Sequence, residues 1–149
     1  MEDTWSDKSI IKVLRSQKYK ATPQRIAICR LVLNSRMHPT AKKILTTVEQ
    51  VYPTVSLSTV YKTLSILKKL NLIKEISPVQ GESRFDSHTG FHLNLICERC
   101  GNISDIEDQA ALDAVSHAAM TAGFSMACVP IELYGECGTC RKESQQLSL

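Results

Sequence analysis

No stretch of the 149-residue sequence approaches the roughly 18 consecutive apolar residues that a helical membrane span requires. A secretory leader is not expected either, because Met1 to Asp7 is acidic and polar where a leader is basic and then apolar. With 43% apolar and 22% charged residues, the composition is neither that of a disordered chain nor that of a fibre. What remains is one ordinary globular domain, or two small ones sharing a hinge. Six cysteines without an export signal point to a reducing compartment, the cytoplasm, where thiols bind metal or do redox work.

Acidic residues are scarce in the first 80 positions, and that scarcity divides the chain. Those positions hold 14 of the 18 Lys and Arg but 5 of the 15 Asp and Glu, a formal charge of +9. The remainder holds 4 basic and 10 acidic side chains, a charge of −6. It also holds every cysteine except Cys29 and every histidine except His38. A basic half suits a polyanion, and an acidic half rich in Cys and His suits a cation.

Four helices are predicted before residue 72. The first spans Asp7 to Gln17, with Ile10, Val13 and Leu14 on one face. The second opens at Thr22-Pro23, a hydroxyl cap followed by a proline whose missing N–H costs nothing there. Ile26, Cys29, Val32 and Leu33 form its apolar stripe. The third runs from the Thr40 cap through Ile44, Leu45, Val48 and Val51 and stops before Pro53. The fourth starts near Ser56, carries Leu57, Val60, Leu64 and Leu67, and ends at Asn71, a residue that tolerates left-handed backbone. Leu72 to Ile76, a turn-rich Ser77 to Gly81, and Ser83-Arg84-Phe85 then read as a hairpin.

Helices three and four followed by a hairpin have the pattern of a winged helix-turn-helix, whose last helix presents its N-terminal polar face to the major groove. Here that face holds Ser56, Ser58, Thr59, Tyr61 and Lys62, which suit phosphate and base-edge contacts. Tyr19, Lys20 and Arg25 are candidates for backbone contacts. Tyr61 also fits a half-buried core position, and Lys68 and Lys69 fit a solvated face. A helical protein-docking bundle matches the same periodicity; the local charge favours double-stranded DNA.

The strongest chemical signal is Cys97-Glu98-Arg99-Cys100-Gly101 paired with Cys137-Gly138-Thr139-Cys140. Two C-x-x-C knuckles supply the four thiolates of a closed structural zinc site, and Gly101 and Gly138 permit tight turns. The long separation requires secondary structure between them: a helix over Asp108 to Ala122 before Gly123, then extended chain from Phe124 to Tyr134 interrupted at Pro130. A thiol oxidoreductase using the C-x-x-C pairs is the competing reading. Cys29 and Cys128 fit apolar stretches as buried thiols. A looser cluster comprises Asp86, His88, His92, Asn94 and Asp105. His92 and Asn94, two apart on a predicted strand, share a face, and this mix of nitrogen and oxygen donors suits Mn²⁺ or Fe²⁺. His88 and His117 also fit plain surface positions.

Taken in order, Thr22-Pro23-Gln24-Arg25, His38-Pro39-Thr40, Ser58 to Lys62, Arg84-Phe85-Asp86 and the two knuckles resemble the ferric uptake regulator family over residues 8–142. The resemblance implies an α+β protein: a winged helix-turn-helix DNA-binding domain at 1–82 and an α/β dimerisation domain with a four-cysteine zinc site at 83–149. It implies a non-enzymatic, homodimeric, metal-dependent transcriptional regulator, with structural Zn²⁺ and a regulatory Fe²⁺ or Mn²⁺. Carried across, the regulatory ligands are His38, Asp86, His92 and Asp105, with aspartates as in the peroxide-sensing branch and histidines where that branch is oxidised. Asn94 stands where the family generally has a second histidine, and an amide oxygen is a harder, weaker ligand than imidazole. A third metal site found in some relatives is not expected, because Phe91, Leu93, Leu112 and Val129 occupy its positions.

Overall fold

Hydroxyl caps open the first four helices of the computed structural model, which describes residues 5–79, 81–126 and 130–146. They are α1 (Asp7–Ser16), α2 (Pro23–Leu33), α3 (Ala41–Val48) and α4 (Leu57–Lys69). Ser6, Thr22, Thr40 and Ser56 each accept from the backbone N–H three residues on, at 3.2, 3.3, 3.2 and 3.2 Å. Such a cap is worth about 1 kcal/mol, so each helix start is marked in the sequence itself. α4 ends as expected: Asn71 takes the left-handed conformation, φ +54°.

The helices meet around Ile10 and Leu14, Ile28, Cys29 and Val32, Ile44, and Val60, Leu64 and Leu67, with Phe85 closing the cluster. Three expected core positions shift. In α2 the fully buried isoleucine is Ile28, whereas Ile26 is half-buried. α3 ends at Val48, because the N–H groups of Val51 and Tyr52 both turn back to Val48 O, at 3.1 and 2.9 Å. That turn lifts Val51 out of the core to 70% exposure. Leu57, the first residue of α4, lies at the rim. Strands β1 (Lys74–Val79) and β2 (Glu82–Asp86) follow as an antiparallel hairpin, with a register shift between Ile76 and Val79.

The chain divides into two compact units, Met1–His88 and Thr89–Leu149. The boundary falls six residues beyond the expected 82/83 division. The second hairpin strand belongs with its β1 partner, and its end is tied to the segment before α3 through Phe85 N–H to Pro39 O at 3.1 Å.

The second unit contains β3 (Leu93–Cys97), β4 (Ile103–Ile106), α5 (Gln109–Thr121), β5 (Ile131–Gly135) and α6 (Gly138–Gln146). Its sheet has the order β4-β3-β5, antiparallel on one side of β3 and parallel on the other. Asp108 caps α5 by accepting from Ala111 N–H at 3.0 Å, and Gly123 turns left-handed behind it, φ +72°. α6 was not anticipated, since Gly138 to Gln146 carries almost no apolar side chain to produce a helical stripe. Among the described residues, no helix is long and apolar enough to cross a membrane.

Leu64→Ala should destabilise the first unit by about 2–5 kcal/mol, the cost of an unfilled core site. Val51→Ala should stay within about 0.5 kcal/mol, as for other exposed positions. Chemical denaturation of the two variants checks the contrast; equal losses would contradict this core.

Candidate metal centres and nucleic-acid face

Parallel pairing brings the two knuckles together. In the β3·β5 register Cys97 lies opposite Gly135, and Glu98 N–H donates to Gly135 O at 2.8 Å. The chain leaving β5 therefore delivers Cys137 beside the end of β3, and the first turn of α6 delivers Cys140. Gly101 makes the turn of the first knuckle at φ +71°, with its N–H on Cys97 O at 2.8 Å. Gly138 is different from expectation. It opens a helix without positive φ, so the second knuckle turns by helix initiation instead of a left-handed glycine.

The sulfurs form a cage. Cys97 and Cys140 Sγ are 3.9 Å apart, Cys100 and Cys137 Sγ 3.8 Å, and all four lie within 4.8 Å of one another. Zn–S bonds of about 2.3 Å in a tetrahedron require sulfur separations of about 3.8 Å. The donor set and its spacing thus fit a structural zinc. Backbone N–H groups of Cys100 and Cys137 point at Cys97 Sγ and hold its thiol down at about 6, favouring the thiolate that binds metal. Burial, followed by the neighbouring sulfurs, pushes Cys140 up.

Arg99, a residue passed over in the sequence, straps the knuckles together. Its guanidinium donates to Cys140 O at 2.6 Å, Ser144 Oγ at 2.7 Å and Glu136 Oε1 at 3.3 Å. Nothing in the periodicity marks it, because its partners lie about forty residues on. Cys29 is fully buried in the first unit, where desolvation raises its thiol to about 12; it is a core residue there. Cys128 and Val129 lie outside the described residues.

The harder nitrogen and oxygen donors occur in two sets, one per unit. In the first, His38 and Asp86 are both buried, with His38 Nε2 3.7 Å from Asp86 Oδ1. Asp86 also accepts from His88 N–H at 2.7 Å. In the second, His92 and Asn94 are fully buried on one face of the β3 segment, and Asn94 pairs across the strands with Asp105. A ring nitrogen of His92 lies within 4.8 Å of an Asp105 carboxylate oxygen. His92 Nδ1 is 2.9 Å from Gly90 O. Donation to that carbonyl puts the proton on Nδ1 and the ring's lone pair on Nε2, the nitrogen that could ligate a cation. His117 lies exposed on α5.

On the basic unit, Ser58, Tyr61, Lys62 and Ser65 share one exposed face of α4 at helical spacing. Tyr61 is 52% exposed, so it is not a core tyrosine. Thr59 turns its hydroxyl toward Ser56 Oγ at 3.0 Å, within the cap. Lys20 is exposed, whereas Tyr19 packs against the helical core and Arg25 donates to Lys20 O, fastening the loop before α2. Lys68 pairs with Glu75 of the hairpin.

Comparison with known proteins agrees with this geometry. The family model described as the ferric uptake regulator family matches residues 16–134. The peroxide operon regulator of Bacillus subtilis (strain 168) is 35% identical over 136 residues, 91% of this chain and 94% of that protein. The peroxide-responsive repressor PerR of Staphylococcus epidermidis is 36% identical over 134 residues, 89% of each. Among solved structures, the Helicobacter pylori ferric uptake regulator Fur shares the fold with a TM-score of 0.79 at 20% identity, covering 95% of this chain and 97% of that one. The Campylobacter jejuni peroxide stress regulator aligns with a TM-score of 0.68 at 27% identity, covering 88% and 98%.

Cys137→Ser should lose tightly bound zinc and the docking of α6 together, because metal binding here is coupled to folding. The thiolate contribution of Cys97 has a fixed sign: its lowered folded value stabilises above the ordinary thiol range and is lost as pH falls through about 6. Zinc release to a chelator should therefore accelerate on acidification, as protons compete for the thiolates. A zinc-free Cys137→Ser protein with α6 amides still protected would contradict the assignment.

Proposed function

The chain belongs to the ferric uptake regulator family, and on that footing we propose that it is a metal-dependent transcriptional repressor. It binds operator DNA as a homodimer in the cytoplasm, is controlled by Fe²⁺ or Mn²⁺, and in its iron form responds to peroxide. The observation that carries this reading is its likeness to peroxide-responsive repressors over nine-tenths of the chain. Buried His38 and Asp86 in one donor set, and buried His92 beside Asp105 in the other, support it.

Each part of the chain then has a role. Cys97, Cys100, Cys137 and Cys140 hold Zn²⁺ structurally, tying β3 to β5 and α6. Regulatory cation binding is assigned to His38 and Asp86 in the first unit and to His92, Asn94 and Asp105 in the second. His92 offers Nε2 because Gly90 O holds the Nδ1 proton. A bound iron ion would supply redox chemistry with peroxide, and His38 and His92 would be the side chains exposed to that oxidation. A cation that binds the DNA-competent arrangement better than others shifts the population toward it. Exposed Val115, Phe124, Leu133 and Tyr134 of the second unit support a dimer contact there. Lys20, Ser58, Tyr61 and Lys62 face the DNA.

Asn94 favours a second reading, a manganese- or iron-availability sensor without peroxide chemistry, because its amide oxygen suits Mn²⁺. Operator binding with Mn²⁺ or Fe²⁺, before and after peroxide, with mass analysis of His38 and His92, separates the two. Loss of binding with added oxygen mass in the iron form supports peroxide sensing. Unmodified histidines leave the availability sensor, and metal-independent binding contradicts both.

Two substitutions sharpen this. Lys62→Ala should weaken operator binding and reduce the slope of log affinity against log salt by about one unit, as for one lost phosphate contact. An unchanged slope in a salt titration would remove Lys62 from the backbone. Asn94→His should raise Fe²⁺ affinity more than Mn²⁺ affinity, since imidazole gains more along the first-row series. Competitive metal titration measures the ratio, and an unchanged ratio would place Asn94 outside the ligand set.

A further inference from the structure

The loop between α2 and α3 is laced to β2 and to the residue just after it through three of its carbonyls. Ser87 Oγ donates to Ser35 O at 3.0 Å, Arg84 Nη1 to His38 O at 3.4 Å, and Phe85 N–H to Pro39 O at 3.1 Å. Thr40 and Arg84 add an isolated antiparallel bridge. Between these ties His38 adopts φ +44°, a left-handed conformation that a non-glycine residue keeps only where its surroundings impose it. Asp86, flanked on the chain by the lacing residues Phe85 and Ser87, faces its imidazole at 3.7 Å.

The same lacing reaches other parts of the winged helix-turn-helix. Thr40 is the cap of α3, with its side chain accepting from Lys43 N–H. β2 is hydrogen-bonded to β1, and the two strands form the wing. The His38 loop, β2 and β1 thus form one continuous hydrogen-bonded ribbon contained in the first unit.

We infer that Arg84 and Ser87 are positioning residues for the regulatory cation, and that occupancy of His38 and Asp86 is transmitted along this ribbon to the wing and the start of α3. The inference rests on the reading that His38 and Asp86 are ligands of that cation. It goes beyond it by giving a route to the wing and the start of α3 that lies wholly within the first unit. A cation bonded to both residues adds a cross-link among the existing ties, closing a loop already ordered, so the entropic cost of tightening the ribbon is small. By linkage, whatever holds the ribbon together also favours the cation.

The test is hydrogen exchange read by mass spectrometry on the full-length, zinc-loaded protein, with and without MnCl₂, alongside calorimetric Mn²⁺ titration. In the wild type, Mn²⁺ should slow exchange at 35–40 and also along 74–86. Ser87→Ala and Arg84→Ala should each weaken Mn²⁺ binding by about tenfold or more, as for lost supports of ligating groups. Both should blunt the protection of 74–86, and Arg84→Lys should recover part of it. Ser87→Ala removes one hydroxyl, so an unchanged melting temperature and zinc content separate positioning from folding. Protection at 35–40 with unchanged exchange along 74–86 would overturn the route, and wild-type Mn²⁺ affinity in both alanine variants would overturn the positioning role. Mn²⁺ that leaves 35–40 unprotected in the wild type would instead remove His38 as a ligand, and the inference with it.

Discussion

The second unit depends on β3 being hydrogen-bonded on both sides. Its parallel register with β5, from Leu93 opposite Ile131 to Cys97 opposite Gly135, decides where the chain emerges to place Cys137 and Cys140. Its antiparallel register with β4 sets Asn94 opposite Asp105. At its start, Ile131 N–H donates to His92 O at 2.9 Å, so the backbone carrying the imidazole is anchored by the same neighbour. One five-residue strand thus orients harder donors near its beginning and a soft thiolate at its end. A slip of one residue would move every one of them to the opposite face.

The zinc cage and the strand pairing support each other. Four thiolates confined within 4.8 Å repel one another and need a cation, and a cation there pins the ends of β3 and β5 where the register has put them. Arg99 adds a polar tie to the carbonyl of Cys140 and to Ser144, fastening a helix with little apolar surface of its own. α6 therefore owes its place to a metal cage and a guanidinium, where α1 to α4 owe theirs to a hydrophobic core.

In the first unit the division of labour is between inside and outside. Three of its acids are paired with nearby bases: Asp7 with Arg30 at 3.0 Å, Glu75 with Lys68, and Glu82 with Lys42. At exposed positions such pairs add little stability. They leave Lys20 and Lys62 on the surface of a unit whose remaining charge is strongly positive. The core fixes α4 so that Ser58, Tyr61 and Lys62 point outward from a rigid helix, as a DNA-reading face requires.

What the sequence alone determined was local. Hydroxyl caps, apolar spacing, Asn71 and Gly123 mark helix ends through interactions three or four residues long, which is why α1, α2, α4 and α5 were legible to within a residue or two. The cysteine pairs were legible because thiolate chemistry at that spacing has few alternatives. A local turn onto Val48 O cut α3 short and exposed Val51, whereas the length of β2 and the existence of α6 were decided by partners distant in sequence. So were the ties that turn Arg25, Arg84 and Arg99 from surface charges into structural supports. Composition shows what a guanidinium can bond; only the tertiary structure decides which carbonyl is within its reach.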